Sequence, residues 1–228
     1  MWTNKCIKGK IKMGFDIFKN KMLQYSNFNI KYKNESLFMK FISVLLFFNK
    51  DFMTKYITTI GKTIYFPSEE FVVTNPRTSI NILAHELVHV TQAEKYGSVI
   101  FGLLYLFPQC LALLTLLVPF SLWFLCFLIF LLPFPAPWRA YFEIGGYTMS
   151  LFVMNLRLQL NNSSPDYIAE ALKTEASNID RKHFKGSAYW FMWPFGVMNK
   201  LRIKDIQDGV ISKEDEIYNC VRQAYPSS

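Results

Sequence analysis

The sequence lacks paired cysteines, is poor in histidine, and contains one long tract with no charge at all. Its four cysteines, Cys6, Cys110, Cys126 and Cys220, include no C-x-x-C pair. Two of them sit inside an apolar run, where a thiol behaves as a small hydrophobe. Neither a disulfide framework nor a cysteine-held zinc finds support. The N-terminal stretch MWTNKCIKGKIKMGFDIFKNK has no continuous apolar core of the kind a cleaved secretory signal needs, so the expected compartment is reducing. Internal repeats and low-complexity linkers are also missing. Acidic residues are scarce at the start: residues 1–62 hold twelve lysines against Asp16, Glu35 and Asp51, and most of the net charge of +8 resides there. Those lysines are scattered among Phe, Ile and Met without a recognition motif, so nucleic acid is not an expected partner, whereas anionic lipid is compatible with them.

What is present is apolar. About half of the 228 residues are hydrophobic, enough for one substantial core or for a small domain with a membrane-embedded part. The pattern predicts a mainly α chain with a small β element, an α+β class, organised as one domain over residues 1–228. Residues 1–56 form a basic amphipathic N-terminal segment. Within it, Glu35 to Met53 reads as an amphipathic helix that packs on the core or lies on a membrane surface. YITTIGKTIYFP then gives one or two strands with a turn or bulge near Gly61. Ser79 is the expected N-cap of the next helix. Later helices are expected over RAYFEIGGYTMSLFVMNLRLQL, after Ser164 and Pro165, and over ISKEDEIYNCVRQAY. The aromatic stretch FKGSAYWFMWPFG reads as a loop that packs or covers a cleft.

Between Lys95 and Arg139 lie 43 residues without a formal charge. One bilayer crossing takes about 20 apolar residues, so this length suits two passes. With Pro119 near the midpoint, residues 96–138 are expected to form a hydrophobic helical hairpin insertion that enters and leaves on the same side. The second arm is cut short by Pro133, Pro135 and Pro137, so a re-entrant hairpin is as consistent as a full crossing. An apolar hairpin buried in an oligomer or partner is the third option.

The stretch NILAHELVHVTQ carries the chemistry. Residues four apart share a helix face, so His85 and His89 can present imidazole nitrogens to one metal while Glu86 stands beside it. Zinc held by neutral imidazoles lowers the pKa of its water from about 15.7 toward about 7, and Glu86 is the expected general base. With only three histidines in the chain, a chance H-E-x-x-H is expected on the order of once in a few hundred such sequences. A catalytic zinc takes three protein ligands and keeps one open position. Glu143 is the preferred third ligand, because a hairpin returns the chain to where it left. Glu170, Glu175 and His183 are the alternatives.

LAHELVHVTQ followed, after an insertion, by RAYFEIGGY resembles the gluzincin group of zinc metallopeptidases. With a hydrophobic hairpin between the two, it is similar to membrane zinc proteases of the CAAX prenyl endopeptidase and heat-shock protease type. The likeness covers about residues 57–150. It implies a zincin-like fold, Zn2+ as cofactor, His85, His89 and Glu143 as metal ligands, and Glu86 as catalytic base. It also implies that the strand Thr63 to Phe66 offers its edge to an extended peptide. One departure is plain. Those membrane proteases place a small residue three positions after the glutamate and an aspartate four after, whereas Gly146 and Tyr147 stand here. The small residue is kept, and the carboxylate that would orient a ligand histidine is missing. Tyr147 is left either to pack or to serve an oxyanion.

The expected function is a membrane-associated zinc metalloendopeptidase acting on a polypeptide substrate, with membrane lipid as partner and the catalytic part on the cytoplasmic side. The rival is a non-catalytic membrane or assembly protein that keeps the helix as a structural element. Oligomeric state is not legible.

Overall fold

A computed structural model describes residues 2–46, 49–132, 134–185 and 197–226. The basic N-terminus is not a free arm. α1 (Trp2–Tyr25) sets Phe15, Phe18 and Met22 at helical spacing, and all three are buried in the main core. β1 (Asn29–Tyr32) follows, then α2 (Leu37–Leu45), whose N-cap Ser36 accepts a hydrogen bond from the Met39 amide. α2 is shorter than the helix expected over Glu35 to Met53, because the chain turns back through Asn49 to Lys55. That turn places Phe52 against Met39 and Tyr65 in a satellite cluster. Lys33 fastens it: the buried ammonium donates to the Phe52 carbonyl at 2.9 Å and lies 3.8 Å from the Phe52 ring centroid. Burial lowers its pKa to about 8.

β2 (Thr58–Ile60) and β3 (Thr63–Phe66) form the expected pair, turning at Gly61, whose φ of +57° suits a residue without a Cβ. The sheet order is β1-β3-β2, with β1 parallel and β2 antiparallel to β3. β3 is therefore central. This corrects the expectation that Thr63 to Phe66 offers a free edge: its backbone groups are paired on both sides, and the edge strands are β1 and β2. Ile64 and Phe66 point into the main core while Tyr65 faces the satellite cluster, as the two-residue period of a strand requires.

α3 (Glu69–Thr74) is capped by Ser68. α4 (Pro76–Tyr96) starts earlier than predicted. Pro76 presets φ at the first helical position, so Asn75 is the N-cap and Ser79 is buried inside the helix with an unpartnered hydroxyl. Ile80, Leu83, Ala84, Leu87 and Val90 recur at helical spacing and are buried in the core. α5 (Ser98–Leu106) then begins the uncharged tract.

That tract is not a pair of α-helical arms. α5 meets a 3-10 segment, Gln109–Leu117, at a 98° bend. A second 3-10 segment, Leu122–Leu131, packs back on the first after a turn that contains Pro119. The base of this hairpin is closed by the Gln109 amide donating to the Phe134 carbonyl at 2.9 Å. Its arms of 9 and 10 residues, at ~2.0 Å per residue, extend about 18–20 Å against a hydrocarbon thickness of ~30 Å. Among the described residues no single helix is long and apolar enough to cross a membrane, and the bent pair formed by α5 and Gln109–Leu117 is the one combination that reaches that length.

α6 (Pro137–Leu160) returns along α4 and is the central helix of the core. α7 (Pro165–Ile179) begins at Ser164, whose Oγ accepts from the Tyr167 amide as expected, and runs into a π-helical turn over Asp180–Lys185. The aromatic stretch from Phe184 to Gly196 lies outside the described residues for most of its length. α8 (Ile203–Gln207), α9 (Ile211–Glu214) and α10 (Glu216–Ala224) complete the chain. The last two replace the single helix expected there, because Asp215 turns outward to cap α10 through the Ile217 amide. The fold is thus mainly helical with one small sheet, an α+β arrangement in which α4 and α6 carry the residues that matter below.

Candidate metal centre

His85 and His89 lie one turn apart on α4, and Glu143 lies in the second turn of α6 opposite them. One ligand atom from each falls within 4.8 Å of the others. His85 Nε2 is 3.3 Å from Glu143 Oε2, and His89 Nε2 is 3.8 Å from Glu143 Oε1. His89 and Glu143 are buried, at 5 % and 7 % exposure. The histidine face of α4 is thus covered by α6, and solvent reaches the cluster from the partly exposed His85 and Glu86.

The approach of the two helices depends on small residues. A Cβ added at Gly146 would stand 2.6 Å from His85 Cε1 and Nε2, and one at Gly145 would stand 2.9 Å from Gln92 Nε2. The paired glycines, unhelpful to an isolated helix, are what let α6 carry Glu143 up to the imidazoles.

Each imidazole is oriented by a polar side chain. Gln92 donates through Nε2 to the Phe142 carbonyl at 3.1 Å, which leaves its Oε1 to accept from His89 Nδ1 at 2.9 Å. Ser150 Oγ lies 3.2 Å from His85 Nδ1. With Nδ1 engaged in both rings, Nε2 is the nitrogen turned toward Glu143. Both imidazoles thus have a polar partner at Nδ1, although position 147 holds a tyrosine where the resemblance implied an aspartate. Both partners were legible in principle, since Gln92 is three residues past His89 and Ser150 is two turns past Glu143. Replacing Gln92 with alanine is expected to weaken metal binding by about 10–100-fold, and Ser150→Ala by a smaller factor, read by competition with a chromophoric chelator.

Electrostatics concentrate on Glu143. Burial alone would raise its pKa, but the two imidazoles beside it hold it well below the usual carboxylate range. For His89 burial opposes the charge, and the Glu143 carboxylate more than offsets this, carrying its pKa to about 9. Tyr105, on α5, donates its hydroxyl to Glu143 Oε1, and the Arg139 guanidinium lies 5.0 Å from the Tyr105 ring centroid. The start of the uncharged tract therefore supplies a partner to the cluster, which its composition gave no reason to expect.

Glu86 is not one of the three converging residues. Its Oε2 accepts from Thr59 Oγ1 at 2.7 Å, which ties the carboxylate to the edge strand β2. Tyr147 packs its ring edge-on to His85 and tilted against His183, each at 4.9 Å between centroids. Burial raises the Tyr147 pKa well above the ordinary phenol value. His183 is thereby a packing neighbour of the cluster and not a member of it, and Glu170 and Glu175 are exposed on α7 away from it.

The donor set of two imidazoles and one carboxylate suits a tetrahedral metal ion such as zinc without being specific to it. Ligand atoms at ~2.1 Å from a tetrahedral ion stand about 3.4 Å apart, close to the 3.3 and 3.8 Å separations from Glu143. Comparison of the chain with protein-family models, with curated proteins and with solved structures returns no match.

Proposed function

We propose that the chain is a zinc metalloendopeptidase of the gluzincin type, with a zincin-like core and a membrane-associated hairpin. The observation that carries this reading is the convergence of His85, His89 and Glu143 from two helices, with Glu86 beside them on the side solvent reaches. Zinc held by His85, His89 and Glu143 would supply Lewis-acid chemistry toward a peptide carbonyl and toward water. The chain's own residues do the rest. Glu86 accepts a proton at a carboxylate oxygen and delivers it to the leaving amine nitrogen. Thr59 holds that carboxylate toward β2, whose outer edge is available to pair with an extended peptide backbone. Gln92 and Ser150 keep the imidazoles in the ligating tautomer, and Tyr105 keeps Glu143 in place.

Membrane association rests on the apolar side chains left outside. On α2 Leu37, Phe38, Phe41 and Val44 are exposed, and on the hairpin Phe120, Leu122 and Trp123 are among the most exposed large hydrophobic side chains of the described residues. Faces of this kind mark a partner or a lipid phase. With the exposed lysines of the N-terminal segment on the anionic, cytoplasmic side, the substrates are membrane-associated or lipid-proximal polypeptides.

The test is metal analysis of the purified full chain. One zinc per chain is expected, lost on His85→Ala; protein that takes up no zinc under any loading condition defeats the reading. Zinc retained without any hydrolysis that depends on Glu86 would point instead to the structural, non-catalytic role. For the hairpin, the protein is expected to stay with membranes in alkaline carbonate, and complete release would sink stable insertion.

A further inference from the structure

We propose that a cavity behind the candidate metal centre binds a phosphate-class oxyanion. It has a volume of about 260 Å³ and is lined by Arg77 and Asn81 of α4, Ser150 and Arg157 of α6, Glu175 of α7, and Tyr225 beyond α10. The two arginines set it apart. Elsewhere Arg181 donates to Asn178, Arg202 pairs with Asp205 and Glu214, and Arg222 donates to Ser212. The guanidinium groups of Arg77 and Arg157 have no hydrogen-bond or ion-pair partner among the described residues. Glu175, which shares the cavity, is engaged by Asn178 at 3.5 Å and forms an ion pair with neither arginine. Arg77 also sits in the first turn of α4, where the helix dipole disfavours a cation.

Asn81 and Tyr225 add further polar groups to the lining. Asn81 Oδ1 is buried without a partner, and its amide can offer an oxygen to a protonated ligand or N–H groups to an acceptor. The Tyr225 hydroxyl feels both arginines: burial raises its pKa, and Arg157 and Arg77 work against that rise. Two guanidinium forks present paired donors from two different helices. A carboxylate has two oxygens and satisfies one fork, whereas a tetrahedral phosphate has oxygens for both. Ser150 joins the cavity to the metal centre, since its hydroxyl meets His85 Nδ1. The proposal does not depend on the peptidase reading.

The experiment is calorimetric titration of the full-length protein, stripped of metal by a chelator, with inorganic phosphate at ionic strength held constant by chloride. Saturable binding of one phosphate per chain is expected, with a dissociation constant on the order of 1 mM or below. Arg77→Gln and Arg157→Gln should each weaken it by about tenfold or more, while Arg181→Gln, at an arginine engaged by Asn178 and outside the cavity, leaves it unchanged. Both cavity arginines are exposed, and thermal unfolding in chloride alone should show the variants folded like the parent. Glycerol 3-phosphate in a second titration separates the sources: tighter binding assigns the occupant to a phosphomonoester headgroup, weaker binding to free phosphate. Non-saturating heats identical in the parent and both arginine variants would overturn the proposal. So would equally tight binding of acetate, or a loss in Arg181→Gln as large as in the two cavity variants.

Discussion

Glu86→Gln is expected to reduce peptide hydrolysis by about 10²–10⁴-fold while one zinc per chain stays in place. The substitution keeps the shape of the side chain and removes only its ability to take a proton. Glutamine can still accept from Thr59, whose Oγ1 lies 2.7 Å from the present carboxylate, so the local structure has no reason to shift. Glu86 is also outside the group of three atoms that converge within 4.8 Å, so the metal content has none either. The combination of unchanged zinc and lost turnover separates a proton-transfer role from a structural one. Activity should be followed with a general protein substrate and with membrane-protein fractions, and zinc measured on the same sample. A Glu86→Gln protein as active as its parent would show that another group moves the proton, or that the hydrolysis came from a contaminant.

Gly146→Ala is expected to lower zinc affinity at least as much as loss of an orienting residue, by about 100-fold or more. The added methyl would fall 2.6 Å from His85 Nε2, the nitrogen turned toward Glu143. The ring has nowhere to retreat: its other nitrogen is at Ser150 and its face is edge-on to Tyr147. Either His85 leaves the site or α6 moves off α4, and both separate the ligands. Alanine in a helix is intrinsically favoured over glycine by ~1 kcal/mol, so far-UV circular dichroism should show the helical content kept. Gly102→Ala is the matched control, because an added Cβ there meets nothing within 4 Å and zinc binding should not change. Parental zinc affinity in Gly146→Ala would mean that His85 does not ligate through Nε2.

Much of the scaffold was readable from local chemistry. Gly61 marks a tight turn between two β-rich runs, and Ser164 before Pro165 marks a helix start. These signals act over three or four residues, so no distant partner can change them. Ser79 misled because a serine before an apolar period looks like a cap, while the stronger constraint, Pro76 three residues earlier, had already started the helix. Phe15, Phe18 and Met22 were legible as a helical stripe but were masked by the surrounding lysines, whose charge invited a surface reading. The uncharged tract was legible as a hairpin turning near Pro119. Its 3-10 conformation and the bend after α5 were not, since neither has a compositional signature at that length.

For the site, the sequence by itself determined the pair His85 and His89 with Glu86 between them, because helical spacing alone places them on neighbouring positions of one face. It also narrowed the third carboxylate to a few glutamates. Only the tertiary structure shows which of those lies beside the two histidines, because Glu143, Glu170 and Glu175 are equivalent as residue types and differ only in which helix packs on α4. Tertiary packing likewise set the contacts of Gly146, Tyr105 and Thr59, and strand pairing closed both edges of β3 and left β1 and β2 as the edge strands. Each of these depends on groups tens of residues apart meeting within a few ångströms, a property of the packed chain that no local pattern carries.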